Sequence, residues 1–159
     1  MDCGFKNDKG WFRYRAAAII IEDGCVLMAS NELASYYYSV GGGVHLHETA
    51  KAAVKREVLE ETGMVYEIDH LAFIHENFFM DDTVALGVPC HEVALYYLMK
   101  PKGTKELNSN SFTQGVRENK SWLPIENLSQ YTIFSTFFKE RLRNIPNYPE
   151  NIITLEYER

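Results

Sequence analysis

Residues 42–64, GGVHLHETAKAAVKREVLEETGM, decide the fold of this chain. Their second half repeats glutamate at helical spacings, because Glu57, Glu60 and Glu61 stand at i, i+3 and i+4. At about 100° per residue, the three side chains fall within an arc of about 100°. That arc overlaps the small apolar positions near the start of the same stretch. We therefore expect all three carboxylates to lean inward on one helix.

Clustered carboxylates on an inward face require positive charge. Like charges four residues apart, such as Glu57 and Glu61, destabilise a bare helix by about 0.2–0.5 kcal/mol. A hard cation bound through oxygen would offset this repulsion, and Mg²⁺ favours a few carboxylates together with substrate phosphates. The alternative is a solvated helix face on which Arg56 pairs with Glu60. Taken alone, three glutamates favour the solvated helix face. The spacing between the glutamates and the neighbouring glycine and arginine residues must therefore distinguish that face from a cation site.

The spacing of the stretch resembles the Nudix box, Gly-x5-Glu-x7-Arg-Glu-U-x-Glu-Glu-x-Gly-U, in which U is a bulky aliphatic residue. Every defined position is filled, by Gly42, Glu48, Arg56, Glu57, Val58, Glu60, Glu61, Gly63 and Met64. This match is far more specific than a lone glycine motif. Outside the box, residues 16–28 resemble the family's first strands and residues 122–128 resemble its Trp-x-Pro-x-x-x-Leu segment, so the likeness covers most of the chain.

The chain departs from the family pattern at two positions. Val40 stands where a proline is common, and His47 stands where a glycine is common. Neither position supplies a metal-binding carboxylate, so we expect the departures to alter loop shape and substrate access rather than to remove activity.

The resemblance implies an α/β fold, the Nudix-type α/β/α sandwich with a mixed β-sheet, as a single domain over residues 1–159. It implies a metal-dependent pyrophosphohydrolase that uses Mg²⁺ or Mn²⁺. The substrate would be a nucleoside diphosphate linked to another group. ADP-ribose, nucleoside triphosphates, sugar nucleotides and dinucleoside polyphosphates all remain open, because specificity lies in loops outside the box.

The resemblance also assigns roles within the site. The predicted metal ligands are Glu57, Glu60, Glu61 and the carbonyl of Gly41. The predicted catalytic residues are Glu57 and Glu60 as candidate general bases, Arg56 to orient the acids and Glu48 to fix the loop–helix junction. The predicted substrate contacts are Gly42, Gly43, Tyr37, Phe78, Phe79 and Glu118. Glu118 would be a further acid, and a third candidate base, on a mobile loop.

The three aromatic residues among these contacts also have a plainer interpretation. Tyr37, Phe78 and Phe79 flank the predicted glycine loop and a strand end, where they could stack on a base or ring. Aromatic residues in strands are more often part of the core.

Several rival interpretations stay open. The histidines of His45-x-His47 could bind metal, although two loop histidines near an acidic site are the simpler explanation. The sequence Cys90-His91-Glu92 lacks a second ligand pair for zinc. A catalytically silent Nudix domain that senses nucleotides or binds a partner is the main functional alternative. A prenyl diphosphate isomerase of the same fold would need a reactive cysteine near the acids.

Composition limits the other classes of function. The chain has 159 residues, a net charge of −6 and 46% hydrophobic residues, enough for one sizeable core. The net negative charge disfavours binding to a nucleic-acid polymer. An odd set of three cysteines predicts free thiols in a reducing cytoplasm. We see neither a signal peptide nor a membrane span, since the longest apolar run is Val93–Met99. A homodimer would be the commonest closed assembly.

Residue patterns also predict the elements that surround the box. Thr49 is expected to cap the helix and Gly63 to end it. The predicted strands cover residues 13–22, 25–29, 36–40, 66–79, 91–99 and 152–157, with another beginning at Trp122. A second helix is predicted over residues 131–144 and a loop over residues 101–120, and residues 1–12 are predicted to be loose or an edge element.

Overall fold

A computed structural model of the protein describes residues 1–33, 35–81, 87–108, 112–113 and 116–156. The strands and helices follow in chain order, and their bounds are β1 Gly4–Asn7, β2 Gly10–Ile19, β3 Ile21–Glu22, β4 Cys25–Asn31, β5 Tyr37–Gly43, α1 Ala50–Thr62, β6 Ile68–Asp81, β7 Val88–Met99, β8 Phe112–Thr113, β9 Val116–Pro124, a 3-10 helix Ile125–Gln130, β10 Ile133–Phe134, α2 Phe138–Arg141 and β11 Glu150–Leu155.

The strands form a mixed sheet in the order β11-β6-β7-β2-β5-β4-β9-β8. Strand β2 pairs in parallel with β7 and antiparallel with β5, and its first residues also pair with the edge strand β1. Two further parallel pairs join β6 to β11 and β5 to β10. The mixed sheet and its flanking helices confirm the predicted α/β sandwich.

Alternation along β2 divides the core into two clusters. Ala16 and Ala18 pack with Val54 and Val58 of α1 on one face of the sheet. Ala17 belongs to the cluster on the other face, which holds the aromatic residues around α2. Successive side chains of a strand point to opposite faces, so one short run of alanines contacts both clusters and lets α1 pack close to the sheet.

Helix α1 begins and ends where its sequence predicts. Thr49 has an extended backbone, and its side chain accepts a hydrogen bond from the Ala52 N–H. Gly63 takes a left-handed conformation with φ of 70°, and its N–H donates to the Leu59 carbonyl at 2.8 Å. These two caps fix the length of the helix and therefore the positions of its carboxylates.

The prediction of a second helix over residues 131–144 is wrong for most of its length. Ile133–Phe134 is strand β10 and pairs with β5, and only Phe138–Arg141 forms α2. The segment begins with Tyr, Thr, Ile, Phe, Ser and Thr, which are weak helix formers. Strand pairing and burial of its aromatic side chains therefore override the helical pattern.

Two predicted loops are also corrected. The glycines 41–43 belong to β5, because their backbone pairs with β2. Glu118, predicted on a mobile loop, lies in β9 opposite Asn31 of β4. The rest of the predicted loop over residues 101–120 lies partly outside the described residues.

The other predicted strands are present, with shifted ends. Strand β2 stops at Ile19, and Ile21–Glu22 forms the separate β3. The edge element predicted near the start of the chain is β1. The last strand is Glu150–Leu155, and Tyr157 lies outside the described residues. Along the described part of the chain, no helix is both long and apolar enough to cross a membrane.

Substituting Gly63 by alanine tests the end of α1. Gly63 and Gly103 both have positive φ, so either substitution costs about 1–2 kcal/mol of backbone strain. A Cβ at Gly63 would also overlap the Asn108 carbonyl, whereas a Cβ at Gly103 would meet no atom of the described residues within 4 Å. We expect Gly63→Ala to lose about 1–3 kcal/mol more than Gly103→Ala. At about 2–4 °C per kcal/mol, thermal melts should separate the two variants, and equal losses would contradict the overlap.

Candidate active site

The guanidinium of Arg56 joins the loop before α1 to the helix itself. Its Nε and Nη2 donate to Glu48 Oε2 and Oε1 at 2.8 and 2.9 Å, a bidentate pair. Nη2 also donates to the Gly43 carbonyl at 3.1 Å, and Nη1 donates to Glu57 Oε1 at 2.7 Å. Glu60 Oε2 lies 3.6 Å from Nη1. One side chain therefore positions two of the predicted acids and the end of β5.

Glu57 occupies space that Gly42 leaves free. A Cβ added at Gly42 would lie 2.5 Å from the carboxyl carbon of Glu57 and 2.8 Å from its Oε2. The Glu57 side chain is only 15% exposed. Glycine at this position therefore allows a carboxylate of the helix to pack directly against the strand.

Glu61 lies deeper, between β5 and β9. Its Oε2 accepts a hydrogen bond from the Gly41 N–H at 2.8 Å, and the residue is 7% exposed. It also hydrogen-bonds to the buried Glu118. Glu118 in turn accepts from the Tyr38 hydroxyl at 2.6 Å and from Lys120 Nζ at 2.8 Å. The structure thus brings Glu118 into the site.

Burial and nearby charge shift the pKa values of these carboxylates in opposite directions. Hydrogen bonds from Arg56 lower the pKa of Glu48 to about 2. Burial raises the pKa of Glu57, although Arg56 partly offsets the effect. Burial, followed by the negative charge and hydrogen bond of Glu118, holds the pKa of Glu61 well above its usual range. The site therefore carries carboxylates that favour protonation unless more positive charge is supplied.

The donor set suits a hard divalent cation. Glu57, Glu61 and Glu118 carry carboxylate oxygens, the kind of ligand atom that Mg²⁺ and similar ions prefer. Across the residues described, no three His, Cys, Asp or Glu side chains already form a metal-binding group. The carboxylates are instead held by Arg56, by the Gly41 N–H and by each other, so loading would exchange these partners for the ion.

Glu60 is more exposed than the other two glutamates of the box, and Tyr37 packs against other aromatic residues. The Glu60 side chain is 58% exposed, so the prediction that all three box glutamates lean inward is wrong for this one. Tyr37 packs edge-to-face on Tyr131 at 5.7 Å and against the α2-side cluster. Its contact with substrate stays a prediction.

The predicted pair Phe78 and Phe79 lies on β6, on opposite faces of that strand. Phe78 stacks on His91 at 4.3 Å, and His91 meets Phe12 of β2 at 5.4 Å. Phe79 is opposite Cys90. Their role in substrate binding also stays a prediction.

The surroundings of the two histidines before Glu48 agree with the simpler interpretation. His45 lies 3.4 Å from Asp2 and 4.0 Å from Glu48. His47 is exposed and has a positive φ of 70°. In the Cys90-His91-Glu92 triplet, alternation turns the middle side chain away from the other two, which does not suit one metal ion.

Sequence reasoning misses the residues that surround Glu118. Tyr38 stands among neighbouring tyrosines that look alike, and Lys120 falls in the predicted loop. The alternation Glu118-x-Lys120 is the available signal, because residues two apart in a strand share a face. The side chains of Glu118 and Lys120 are each 4% exposed and form a buried ion pair.

Comparison with known proteins identifies the same stretch. A model of the NUDIX domain matches residues 11–144. A MutT-like protein from Streptomyces ambofaciens is 31% identical over 115 residues, which cover 72% of this chain and 65% of that protein's length. A MutT NUDIX hydrolase structure from Burkholderia pseudomallei is 26% identical, with a TM-score of 0.61 over 80% of this chain and 95% of that one. A MutT protein from Bacillus halodurans, 16% identical, has a TM-score of 0.67 over 90% of each chain and shares the fold.

The variant Glu61→Gln tests the electrostatics of the metal-free site. A glutamate in the unfolded chain titrates at about pH 4.3, and the folded pKa of Glu61 is higher. Above about pH 4.3 the unfolded chain releases a proton that the folded chain keeps, so the parent loses stability as pH rises. The substituted glutamine cannot ionise, and its amide oxygen can still accept from the Gly41 N–H.

We therefore expect Glu61→Gln to match the parent near pH 4.5 and to melt higher at pH 7.5, both in chelator. Glu60→Gln, at an exposed position, is the control and should show no such gain. A Glu61→Gln protein that melts well below the parent at pH 7.5 would indicate a structural ion-pair role instead.

Proposed function

Because this chain belongs to the NUDIX domain family, we propose that it is a metal-dependent hydrolase of small nucleotide-linked substrates. In this proposal it cleaves the phosphoanhydride of a nucleoside diphosphate linked to another group, with Mg²⁺ or Mn²⁺. The observation that carries it is the contact of the buried Glu61 with Glu118, together with Glu57 held by Arg56 one helical turn before Glu61. Residues 1–159 would act as a single domain.

In this proposal the residues of the carboxylate site have different roles in hydrolysis. A divalent ion, when bound, supplies positive charge to the diphosphate and lowers the pKa of a bound water. Glu57 and Glu61 would hold such an ion, with the Gly41 carbonyl and the more exposed Glu60 as the further predicted ligands. Arg56 keeps Glu57 in position and does not contact substrate. Glu48, a strong acceptor for Arg56, fixes the loop–helix junction.

A general base must take a proton from the attacking water. Glu57, Glu60 and Glu118 are the candidates, and their surroundings differ. Both oxygens of Glu118 are engaged, by Tyr38 and Lys120, whereas Glu60 is largely exposed. The base must lie within about 2.6–3.2 Å of the water, directly or through one water. Comparing Glu60→Gln with Glu118→Gln would therefore separate a solvent-facing base from a buried one.

A substrate panel tests the activity itself. ADP-ribose, nucleoside triphosphates, sugar nucleotides and dinucleoside polyphosphates should be offered with saturating Mg²⁺ or Mn²⁺, and phosphate measured after a coupling phosphatase. We expect at least one to be cleaved, and excess chelator to abolish turnover. Robust cleavage of a panel substrate in excess chelator would contradict the proposed metal dependence. Binding without cleavage of any member would favour the silent nucleotide-sensing domain.

Metal should also stabilise the fold. An ion that binds only the folded chain adds about 2.7 kcal/mol at a hundredfold excess over Kd. For a domain of this size that raises the melting temperature by about 5–11 °C. Glu61→Gln should gain little under the same conditions, and a parent that gains nothing would argue against a cation site.

The variants Glu57→Gln and His47→Gly test the roles within the box. Glu57→Gln should lower kcat by about two orders of magnitude or more, since it removes a charge that positions the ion. His47→Gly restores the commoner family residue at an exposed position and should keep activity within about tenfold, roughly 1.4 kcal/mol. An equal loss of kcat in both variants would indicate that His47 is a metal ligand or a catalytic residue.

A further inference from the structure

Arg15 is a half-buried cation that forms no ion pair with any described residue. It lies in β2 opposite Gly43 of β5. Its Nη1 donates to Ser39 Oγ at 2.9 Å and its Nη2 donates to the Ser39 carbonyl at 2.8 Å. No carboxylate among the described residues lies within 4.0 Å of its guanidinium. Because buried charges are usually paired, this arrangement calls for a negative group from outside the chain.

The guanidinium also keeps donors available. Arginine has five N–H donors in a planar fork, and Ser39 uses two of those of Arg15. The other three have no acceptor in the part of the chain that the structure describes. A planar fork of free N–H groups matches the paired oxygens of a phosphate.

Arg13 shows what a compensated arginine looks like on the same strand. It stands two residues before Arg15 and therefore on the same face of β2. Its Nε lies 3.3 Å from Glu92 Oε2, and its guanidinium lies 4.8 Å from the centre of the Trp11 ring. Its charge is thus satisfied within the protein, which makes Arg13 a matched control for Arg15.

A chain of buried hydroxyl groups holds the anchor of Arg15 in place. Ser39 Oγ lies 3.5 Å from Tyr96 Oη, and Tyr96 Oη lies 2.9 Å from Ser135 Oγ. Ser135 Oγ lies 3.2 Å from Nδ1 of the buried His75. Burial and then the charge of Arg15 lower the pKa of His75 to about 4, so this ring is neutral at pH 7. The chain fixes the guanidinium without neutralising it.

The location of Arg15 links it to the carboxylate site. Ser39 precedes by two residues the Gly41 whose N–H binds Glu61. Burial lowers the pKa of Arg15, but its interactions with Tyr96 and then with the carboxylates of Glu92, Glu61 and Glu57 more than offset this, so the pKa is raised. The acids of the proposed metal site therefore lie within electrostatic range of Arg15.

We propose that Arg15 binds a phosphate group of the diphosphate substrate, from the side of β5 that carries Ser39. The inference rests on the proposed function and adds a substrate-binding residue to it. A residue that only joined β2 to β5 would affect stability alone. An anion-binding residue also sets the affinity for phosphate compounds in the absence of metal, and this distinguishes the two roles.

The test measures binding without turnover. Calorimetric titrations of inorganic pyrophosphate and of non-hydrolysable α,β-methylene-ADP, both in chelator, should be run on the parent, Arg15→Gln and Arg13→Gln. We expect Arg15→Gln to weaken binding at least about tenfold, which corresponds to about 1.4 kcal/mol. Arg13→Gln removes the same charge from the same strand face and should stay within about threefold of the parent. Ser39→Ala, which keeps the charge but loosens its anchor, should fall between them.

The outcomes are distinct. Equal affinity in the parent and Arg15→Gln, equal losses in the two glutamine variants, or no pyrophosphate binding by the parent would each overturn the proposal. If Arg15→Gln does not fold, the comparison of Arg15→Lys with Arg13→Lys decides, with about threefold or greater weakening expected only for the first. A parent that cleaves the substrate panel while Arg15→Gln binds normally refutes the role of Arg15 and leaves the proposed hydrolase intact.

Discussion

The contacts of one guanidinium support the rest of the carboxylate site. Arg56 bonds to Glu48 before the helix, to Glu57 within it and to the Gly43 carbonyl at the end of β5. A charged hydrogen bond is worth about 1.5–3 kcal/mol when its partner would otherwise stay unsatisfied. Three such contacts from one planar group therefore fix how the loop, the helix and the strand meet. Lysine, a single point charge, could not reproduce this geometry.

Close packing between α1 and β5 is the second constraint. Gly42 has no side chain where the Glu57 carboxylate lies, and the Gly41 N–H is free to bind Glu61. The three alanines of β2 let the helix and the aromatic cluster pack on opposite faces of one strand. The helix is thereby held with one side of its acidic turn against the sheet. Small residues on two neighbouring strands thus create a partly buried site for charges that would otherwise face water.

Much of this could be predicted from local sequence, and the failures have a common physical cause. The caps of α1 depend on residues close together in the chain, where helical period and capping chemistry are reliable, and the role of Glu48 at the loop–helix junction is implied by the resemblance of the box. Glu118 and the segment 131–144 depend on pairing with β4 and β5, about 80 to 100 residues away, which local propensity does not encode. Arg15 escapes sequence reasoning because an Arg-x-Arg pattern entering a strand does not reveal which arginine will find a carboxylate.

Charge balance connects the two halves of the molecule. On the α1 side, burial raises the pKa values of Glu57 and Glu61, because it makes their charged forms less favourable. On the other face of β2, Arg15 has positive charge, and three of its N–H donors find no acceptor and no carboxylate among the described residues. Each imbalance costs stability in the free protein. Under the proposed function, a cation would relieve the first and the substrate's phosphate the second. The ligand-free fold would then carry two complementary imbalances, and a metal–diphosphate complex would neutralise both, which is how a preorganised site favours a charged ligand over water.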